Sequence, residues 1–223
     1  MIDIRIEDLD LLSDDEFETV EKDIMRQMSI REVKNLRGQA AIFHDDQHIG
    51  EKRRELKALK HPSFNVEAEM KFRNTPVVDS LEGNMLLHPL TTPVIEVNEE
   101  NNVCRSTWWS LGIEGLSKFR EKPMAILSVG MVPGVQVKED DEWKILSGAW
   151  QRTTKNEYKA GWVSSMVSTN TRPQISMEED RNRLGKYAYR KNEVRKPVPC
   201  PPRKDSFFED QDETSMDWLY RNL

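Results

Sequence analysis

Hydrophobic residues near the start of the chain recur at helical spacing in two successive stretches. Ser13 and Glu16 form a capping-box pattern, and Ser29 and Glu32 repeat it. The apolar positions that follow the two caps are Phe17, Val20, Ile24 and Met28, then Val33, Leu36, Ala40 and Phe43. This periodicity predicts two consecutive helices, over 14–28 and 30–45.

The next two segments differ in pattern. The charged stretch EKRRELKALKHPSF has few apolar residues, which predicts a short exposed helix that ends before His61 and Pro62. From Phe64 to Val78 apolar and polar residues alternate, with Pro76 near the end. This alternation predicts one half-buried strand.

Strand patterns are strongest between residues 91 and 153. The apolar segments there are TTPVIEV, VCRSTWWSL, MAILSVGM continued by VPGVQVK, and EWKILSGAWQR. Their connections are short and polar, which favours antiparallel neighbours because a parallel crossover needs a dozen or more residues. Helices followed by an antiparallel sheet predict an α+β fold.

The composition changes after Val163. Residues 164–206 are rich in arginine, lysine and proline and poor in large aliphatic side chains, so we expect an extended arm that wraps its own or a neighbouring subunit; the alternative is a disordered segment. The arm would dock through four apolar residues near its end: Phe207, Phe208, Trp218 and Leu219. The predicted organisation is an N-terminal arm and helix (1–29), a central domain (30–163) and a C-terminal extended arm (164–223).

Composition and charge exclude several classes of protein. The 223 residues carry 33 basic and 39 acidic side chains, for a net charge of -6, so we expect no nucleic-acid partner. No apolar run is long enough for a membrane span, and the acidic N-terminus is unlike a signal peptide. We therefore expect a soluble, cytoplasmic protein with no membrane partner, in which Cys104 and Cys200 stay reduced.

The phrases LLHPLTTPVIEV, VCRSTWWSLG and KEDDEWKI resemble the SnoaL-like branch of the nuclear-transport-factor-2-like proteins. The resemblance covers roughly residues 30–163 and implies a cone-shaped, cystatin-like fold, in which N-terminal helices pack on a strongly curved antiparallel sheet around a pocket. That fold hosts dehydratases, isomerases and non-catalytic binders, so the resemblance alone does not choose an activity.

The resemblance also implies a catalytic pair. Asp45 lies near the position of the acid that orients a histidine in bile-acid dehydratase-like and scytalone dehydratase-like members, and His88 is the candidate histidine. A carboxylate that fixes the imidazole tautomer lets the histidine move protons next to a carbonyl. Two positions depart from the family pattern: the dehydratase tyrosine falls on Ala40, and the dehydratase histidine aligns better with Thr91, three residues beyond His88.

Alternation along the VCRSTWWSL strand separates its two tryptophans. We assign Trp108 to the pocket and Trp109, with Arg105, to the outer face, where a second subunit would cover it in a homo-oligomer. The inner surface over 124–152 should be small and apolar and lack titratable groups, so the expected ligand is a small hydrophobic molecule. The predicted ligand-binding residues are Phe43, His44, Trp108, Met131 and Trp150.

His44 and His48 are four residues apart, a spacing compatible with two metal ligands on a helix, but no third ligand is apparent. Phosphate-loop, nucleophile-elbow and dinucleotide-turn motifs are absent from the sequence. We therefore predict neither a metal nor a cofactor. The functional hypothesis is a lyase (dehydratase) or isomerase acting on a small hydrophobic oxygenated or cyclic substrate through His88 and Asp45; the alternative is a non-catalytic ligand-binding or assembly protein.

Overall fold

The computed structural model describes residues 13–46, 50–64, 83–119, 122–148, 150–160, 189, 194, 200–207 and 212–220. Two helices are followed by a six-stranded antiparallel sheet. The elements are α1 (Asp14–Asp45), α2 (Gly50–Ala58), β1 (Met85–Leu87), β2 (Leu90–Val97), β3 (Val103–Phe119), β4 (Lys122–Glu139), β5 (Glu142–Gly148) and β6 (Gln151–Glu157). None of the described helices is long and apolar enough to cross a membrane.

A single long helix, α1, replaces the two helices predicted over 14–28 and 30–45. Its capping box at Ser13 and Glu16 forms as expected, with the Ser13 side chain accepting from the Glu16 amide. The second cap does not form, because Ser29 is buried inside the helix and no proline or glycine interrupts the backbone around it. The predicted short helix before His61 is confirmed as α2, whereas the predicted strand from Phe64 to Val78 lies outside the described residues beyond Phe64.

Two long strands organise the sheet. β3 pairs with β4 along nearly its whole length, β1 and β2 pair with successive parts of β3, and β5 and β6 pair with successive parts of β4. The predicted last strand, EWKILSGAWQR, is therefore two strands that separate before Trp150. The predicted α+β class, with an N-terminal helix on a strongly curved antiparallel sheet, is confirmed.

The inner face of the sheet is the one that packs against α1. Core residues from α1, namely Val33, Leu36 and Ala40, meet Cys104 of β3 and Ile145 of β5 there. Because side chains alternate along a strand, the inner face of β3 also carries Ser106, Trp108, Ser110, Gly112 and Glu114. Burial of this face against α1 supplies the main core of the molecule.

The outer face of the sheet is covered in part by the C-terminal segment of the same chain. Phe207 packs against Val103 and Val135, and the Cys200 amide donates to the Leu219 carbonyl. Docking of Phe207, Trp218 and Leu219 is confirmed by their burial, while Phe208 lies outside the described residues.

Arg105 lies on the outer face of the sheet as assigned, but the expected surface or interface position was wrong, because the C-terminal segment of the same chain covers it. The residue is fully buried beneath the C-terminal segment. Its guanidinium donates to the backbone carbonyls of Asp212 and Glu213 and lies over the Phe207 ring, 4.6 Å from the centroid.

Candidate functional site

Half-buried Asp45 and buried His88 form a dyad held by two hydrogen bonds. His88 Nδ1 lies 2.7 Å from Asp45 Oδ1, and the His88 backbone amide donates to Asp45 Oδ2 at 2.6 Å. Both carboxylate oxygens therefore bind the same residue, which fixes the imidazole in position and orientation.

The ends of three elements bring these two residues together. Asp45 is the last residue of α1, and His88 lies in the break between β1 and β2. Because His88 and Pro89 are not part of a strand, strand alternation does not fix the face to which His88 points. Thr91, which aligns better with the dehydratase histidine, is exposed on β2 opposite Trp109, so His88 and not Thr91 supplies the contact with Asp45.

A second buried carboxylate lies on the other side of the His88 ring. Glu114 Oε1 is 3.6 Å from His88 Nε2, too far for a direct hydrogen bond, and both Glu114 oxygens accept from Lys155 Nζ at 2.9 Å. Glu114 and Lys155 are fully buried. The four residues form a row of alternating charge, in the order Asp45, His88, Glu114 and Lys155.

Sequence reasoning missed Glu114 and Lys155, which lie outside the stretch 124–152 for which an apolar inner surface was expected. Glu114 continues the inward alternation of Ser110 and Gly112, a signal that was present but lay beyond the predicted end of the strand. Lys155 reaches the same face because β6 pairs it with Ser128 of β4. This register could not be read from the sequence, since β5 and β6 pair with different parts of β4.

The surroundings set the protonation of this row. Burial would raise the pKa of Asp45, but hydrogen bonds from His44 and His88 outweigh burial and lower that pKa to about 2. Burial would also raise the pKa of Glu114, which is instead lowered to about 2 by His88, Lys155 and Arg152. For His88 burial acts to lower the pKa, but the two carboxylates raise it above its ordinary value. The two carboxylates therefore favour the imidazolium form of His88.

Two glycines on the inner face leave room for the aromatic wall of the site. A Cβ atom on Gly112 would clash with Ser128 Oγ and come within 2.8 Å of His88 Cδ2 and 3.0 Å of Trp150 Cη2. A Cβ atom on Gly130 would clash with Trp150 Nε1. Trp150 packs edge-on against His88, with ring centroids 4.5 Å apart, and lies beneath the guanidinium of Arg152.

The structure brings some of the other predicted ligand-binding residues to the dyad and not others. His44 is half-buried, with its ring centroid 5.7 Å from that of His88, and Trp150 contacts the dyad directly. Trp108 lies on the inner face as predicted, whereas Phe43 packs against the core around Val33 and Leu36.

The assignment of Met131 to the inner surface was wrong. Met131 pairs with Trp109 of β3, which places both residues on the outer face. Two other apolar residues of the stretch 124–152 were expected on the inner surface. Leu127 lies on the outer face instead, and Ala149 lies outside the described residues. The inner face is consequently more polar than its sequence suggested, with Ser110 and Ser128 contributing hydroxyl groups between the buried charges.

His44, Asp45 and His88 also meet the geometric requirement for a metal site. Their potential ligand atoms lie within 4.8 Å of one another, the one such group found in the described part of the chain. Two imidazoles and a carboxylate suit a transition metal such as zinc. In the described geometry, however, His88 Nδ1 is hydrogen-bonded to Asp45, and a metal at that atom would have to displace the proton. His48, the other histidine considered as a ligand, lies outside the described residues.

Comparisons with known proteins returned structural similarity only. No protein-family model and no curated protein matches the chain. Similar solved structures include a candidate scytalone dehydratase from Novosphingobium aromaticivorans, with 18% identity and a TM-score of 0.45 over 62% of this chain and 91% of that chain. A protein from Catenulispora acidiphila has 16% identity and a TM-score of 0.39 over 55% of this chain and 90% of that chain.

A variant of a Mycobacterium tuberculosis protein of unknown function has 14% identity and a TM-score of 0.38 over 57% of this chain and 73% of that chain. None of these similarities assigns an activity to the chain.

Proposed function

We propose that the protein is a lyase of the dehydratase type, or an isomerase, that moves protons on a small oxygenated cyclic substrate through His88. The observation that carries this proposal is the dyad in which half-buried Asp45 holds buried His88 by two hydrogen bonds of 2.7 and 2.6 Å. A histidine fixed in this way, with a shifted pKa, is typical of general acid-base catalysis.

In this proposal His88 starts the reaction as the proton donor, because the carboxylates on both sides favour its charged form. Nε2 is the donating atom, since Nδ1 is bound to Asp45 and Nε2 has no hydrogen-bond partner among the described residues. Neither Asp45 nor Glu114 suits the role of base near neutral pH, because the pKa of each carboxyl is lowered to about 2.

His44 is the remaining candidate for the base, because it is half-buried and adjacent to His88. In a dehydration, His44 takes the proton from the carbon next to a carbonyl, and the C–H electron pair forms the new C=C bond. The C–O bond on the neighbouring carbon breaks, and its hydroxyl leaves as water with the proton from His88. In an isomerisation, the proton from His88 adds to carbon or oxygen instead, and no water leaves.

The proposal is tested by following β-hydroxy cyclic ketones and acids in D₂O by NMR. Dehydration gives new olefinic signals, and isomerisation exchanges the proton next to the carbonyl for deuterium. We expect His88→Gln to lower the rate by about 100-fold or more. The matched control is His61→Gln, since His61 also contacts a carboxylate, with Nε2 2.9 Å from Glu139, but lies outside the site. Unchanged turnover in His88→Gln would reject the catalytic role.

A non-catalytic binder with the same fold is the second candidate. It is favoured by Ala40, which occupies the place of the dehydratase tyrosine and is buried in the core against Val33 and Leu36. Alanine has no hydroxyl group, so this protein lacks the phenolic group that the dehydratase tyrosine supplies at this position. A binder predicts that His88→Ala and Asp45→Asn leave the affinity for the native ligand nearly unchanged, with no chemical change of that ligand.

A further inference from the structure

Arg37 is a buried cation with no acidic partner among the described residues. It lies on the face of α1 that packs on the sheet, is 6% exposed, and its Nε has no hydrogen-bond partner. Two other buried bases have partners: Lys155 binds Glu114, and Arg105 binds backbone carbonyls. An unpaired buried charge is costly, so a counter-ion is expected at Arg37.

Cys104 is close to Arg37 but cannot be that counter-ion. Burial raises the pKa of the Cys104 thiol, and the nearby charge of Arg37 opposes this only in part, so the thiol stays neutral. The pKa of Arg37 itself is lowered by burial to about 10, which leaves the guanidinium charged at neutral pH.

A pair of facing glycines lets the guanidinium approach the sheet closely. Gly134 of β4 pairs with Gly148 of β5. Arg37 Nη1 lies 3.5 Å from the position that a Cβ atom would take on Gly134, and 3.4 Å from the same position on Gly148. The sheet therefore has no side chain at these two positions beside the guanidinium.

Gln136 places a second donor at the same point. Its Oε1 accepts from Ser106 Oγ at 3.0 Å, which directs Nε2 away from Ser106. Nε2 lies 3.1 Å from the Cβ position of Gly134 and has no hydrogen-bond partner among the described residues. Gln136 is fully buried, so the amide and the guanidinium of Arg37 form a converging pair of buried donors.

A line of polar atoms connects this pair of donors with His88. Trp108, Ser110 and Ser128 lie between them on the inner face, and each has a buried polar side-chain atom without a hydrogen-bond partner among the described residues. Arg37 and Asp45 are eight residues apart on α1, which corresponds to about 12 Å along the helix axis and to a rotation of about 80° around it.

We propose that Arg37 and Gln136 bind a carboxylate of the substrate, while the reacting carbon of the same molecule lies at His88. This inference rests on the proposed function and narrows its substrate class to oxygenated cyclic carboxylic acids. In this substrate several bonds separate the carboxylate from the reactive carbon. The polar side-chain atoms of Trp108, Ser110 and Ser128 would bind further oxygen atoms of the substrate between these two ends. A carboxylate suits the site because a guanidinium and an amide can each donate to one of its oxygens.

Isothermal titration calorimetry with 3-phenylpropanoate and its neutral isostere 3-phenylpropanamide tests the proposal. We expect the carboxylate to bind the wild-type protein more tightly than the amide. Arg37→Met should weaken carboxylate binding by about 10-fold or more and leave amide binding unchanged, because a charge-assisted hydrogen bond is lost. The matched control is Arg26→Met on the same helix, since Arg26 is already paired with Glu96.

Melting temperature provides a second readout. Without ligand, Arg37→Met should melt no lower than the wild type, because the variant removes an unpaired buried charge and keeps an apolar side chain. If Arg37→Met does not fold, Gln136→Met takes its place, with an expected several-fold loss of carboxylate affinity. Equal binding of carboxylate and amide by the wild type, or full carboxylate affinity in the variants, would overturn the proposal. If equimolar inorganic phosphate displaces 3-phenylpropanoate, the site binds free phosphate, and the proposal of a substrate carboxylate is also overturned.

The anion site and the catalytic role of His88 can fail separately. His88→Gln should retain affinity for 3-phenylpropanoate, because it does not alter Arg37 or Gln136. If His88→Gln keeps full turnover, the proposed function is rejected while the carboxylate site stands. If Arg37→Met turns over a carboxylate substrate with unchanged KM, the carboxylate site is rejected while the role of His88 stands.

Discussion

At the scale of single residues, the site is a row in which two acidic and two basic side chains alternate and favour one another's charged forms. The sequence allowed Asp45 and His88 to be paired, because a family resemblance connected two positions that are far apart in the chain. It did not reveal Glu114 and Lys155, which are 41 residues apart and meet only through the register of β3, β4 and β6. No local pattern distinguishes a buried Lys155 from an exposed lysine in a polar strand.

Asp45→Asn should lower the pKa of His88, because it removes one of the two anions that raise it. The measurement is an NMR titration of the His88 ring protons in the wild type and the variant. We expect turnover to fall by about 100-fold, since the imidazole is both less charged and less well oriented. An unchanged His88 titration would show that Asp45 does not act on the imidazole electrostatically.

The stability of the protein should depend on His88 protonation with a definite sign. The pKa of His88 is raised in the folded state, so its contribution is fully present below the unfolded value of about 6.5 and is lost as pH rises through the folded pKa. Urea unfolding at pH 6 and pH 9 should therefore show a larger difference between the wild type and His88→Gln at pH 6. Asp45 and Glu114 act in the opposite direction, with stability lost as pH falls below about 4 towards their folded pKa values of about 2.

Lys155→Met should cost about 3–5 kcal/mol of unfolding free energy, because it leaves the buried Glu114 carboxylate without its main partner. Lys144→Met is the matched control, since Lys144 pairs with the exposed Glu142 at 2.6 Å. Such an exposed pair contributes about 0–1 kcal/mol. Equal losses in the two variants, measured by urea unfolding, would contradict the buried ion pair as a stabilising contact.

At the scale of elements, the ends of segments were harder to predict than their types. Capping at Ser13, the short helix α2 and the alternation in β2 to β5 are local properties, and each was readable from the sequence. The continuity of α1 through Ser29 could not be read from the sequence, because the same Ser-x-x-Glu pattern occurs at a helix start and inside a helix. The separation of β5 from β6 before Trp150 depends on pairing with different parts of β4, which is a tertiary property.

The two halves of α1 should differ in stability. Phe17, Ile24 and Met28 are exposed, whereas Val33, Leu36 and Ala40 are buried against the sheet. Ser13→Ala should therefore speed amide hydrogen exchange over residues 14–28 with little change in the global unfolding midpoint. Leu36→Ala should lower global stability by about 2–5 kcal/mol. A large global loss from Ser13→Ala would mean that the first half of the helix is packed more tightly than its exposure indicates.

At the scale of the whole molecule, the C-terminal segment acts as a third layer on the outer face of the sheet. Its aromatic residues indicated docking, but the sequence could not show that the docked surface belongs to the same chain or that Arg105 lies beneath it. Trp109 remains half-buried beside Met131 on this face, and its coverage by a second subunit stays a prediction.

Trp218→Ala should lower the free energy of unfolding by about 3–5 kcal/mol, because Trp218 is 1% exposed. We expect the loss to be global, since the segment covers Val103 and Arg105 at the start of the long strand β3. Tyr189→Ala is a suitable control, because Tyr189 is exposed. If limited proteolysis removes the C-terminal segment from the wild type without changing the unfolding midpoint, the segment does not stabilise the sheet.

The long pairing of β3 with β4 has a consequence for the order of folding. The two strands are adjacent in the chain and pair from Val103 and Val137 to Phe119 and Lys122, so they close only short loops and suit an early folding nucleus. Asp45, His88 and Lys155 come from segments that dock afterwards on different edges of this hairpin. The geometry around His88 is then completed in the last folding step, and in refolding experiments recovery of activity should coincide with the slowest kinetic phase.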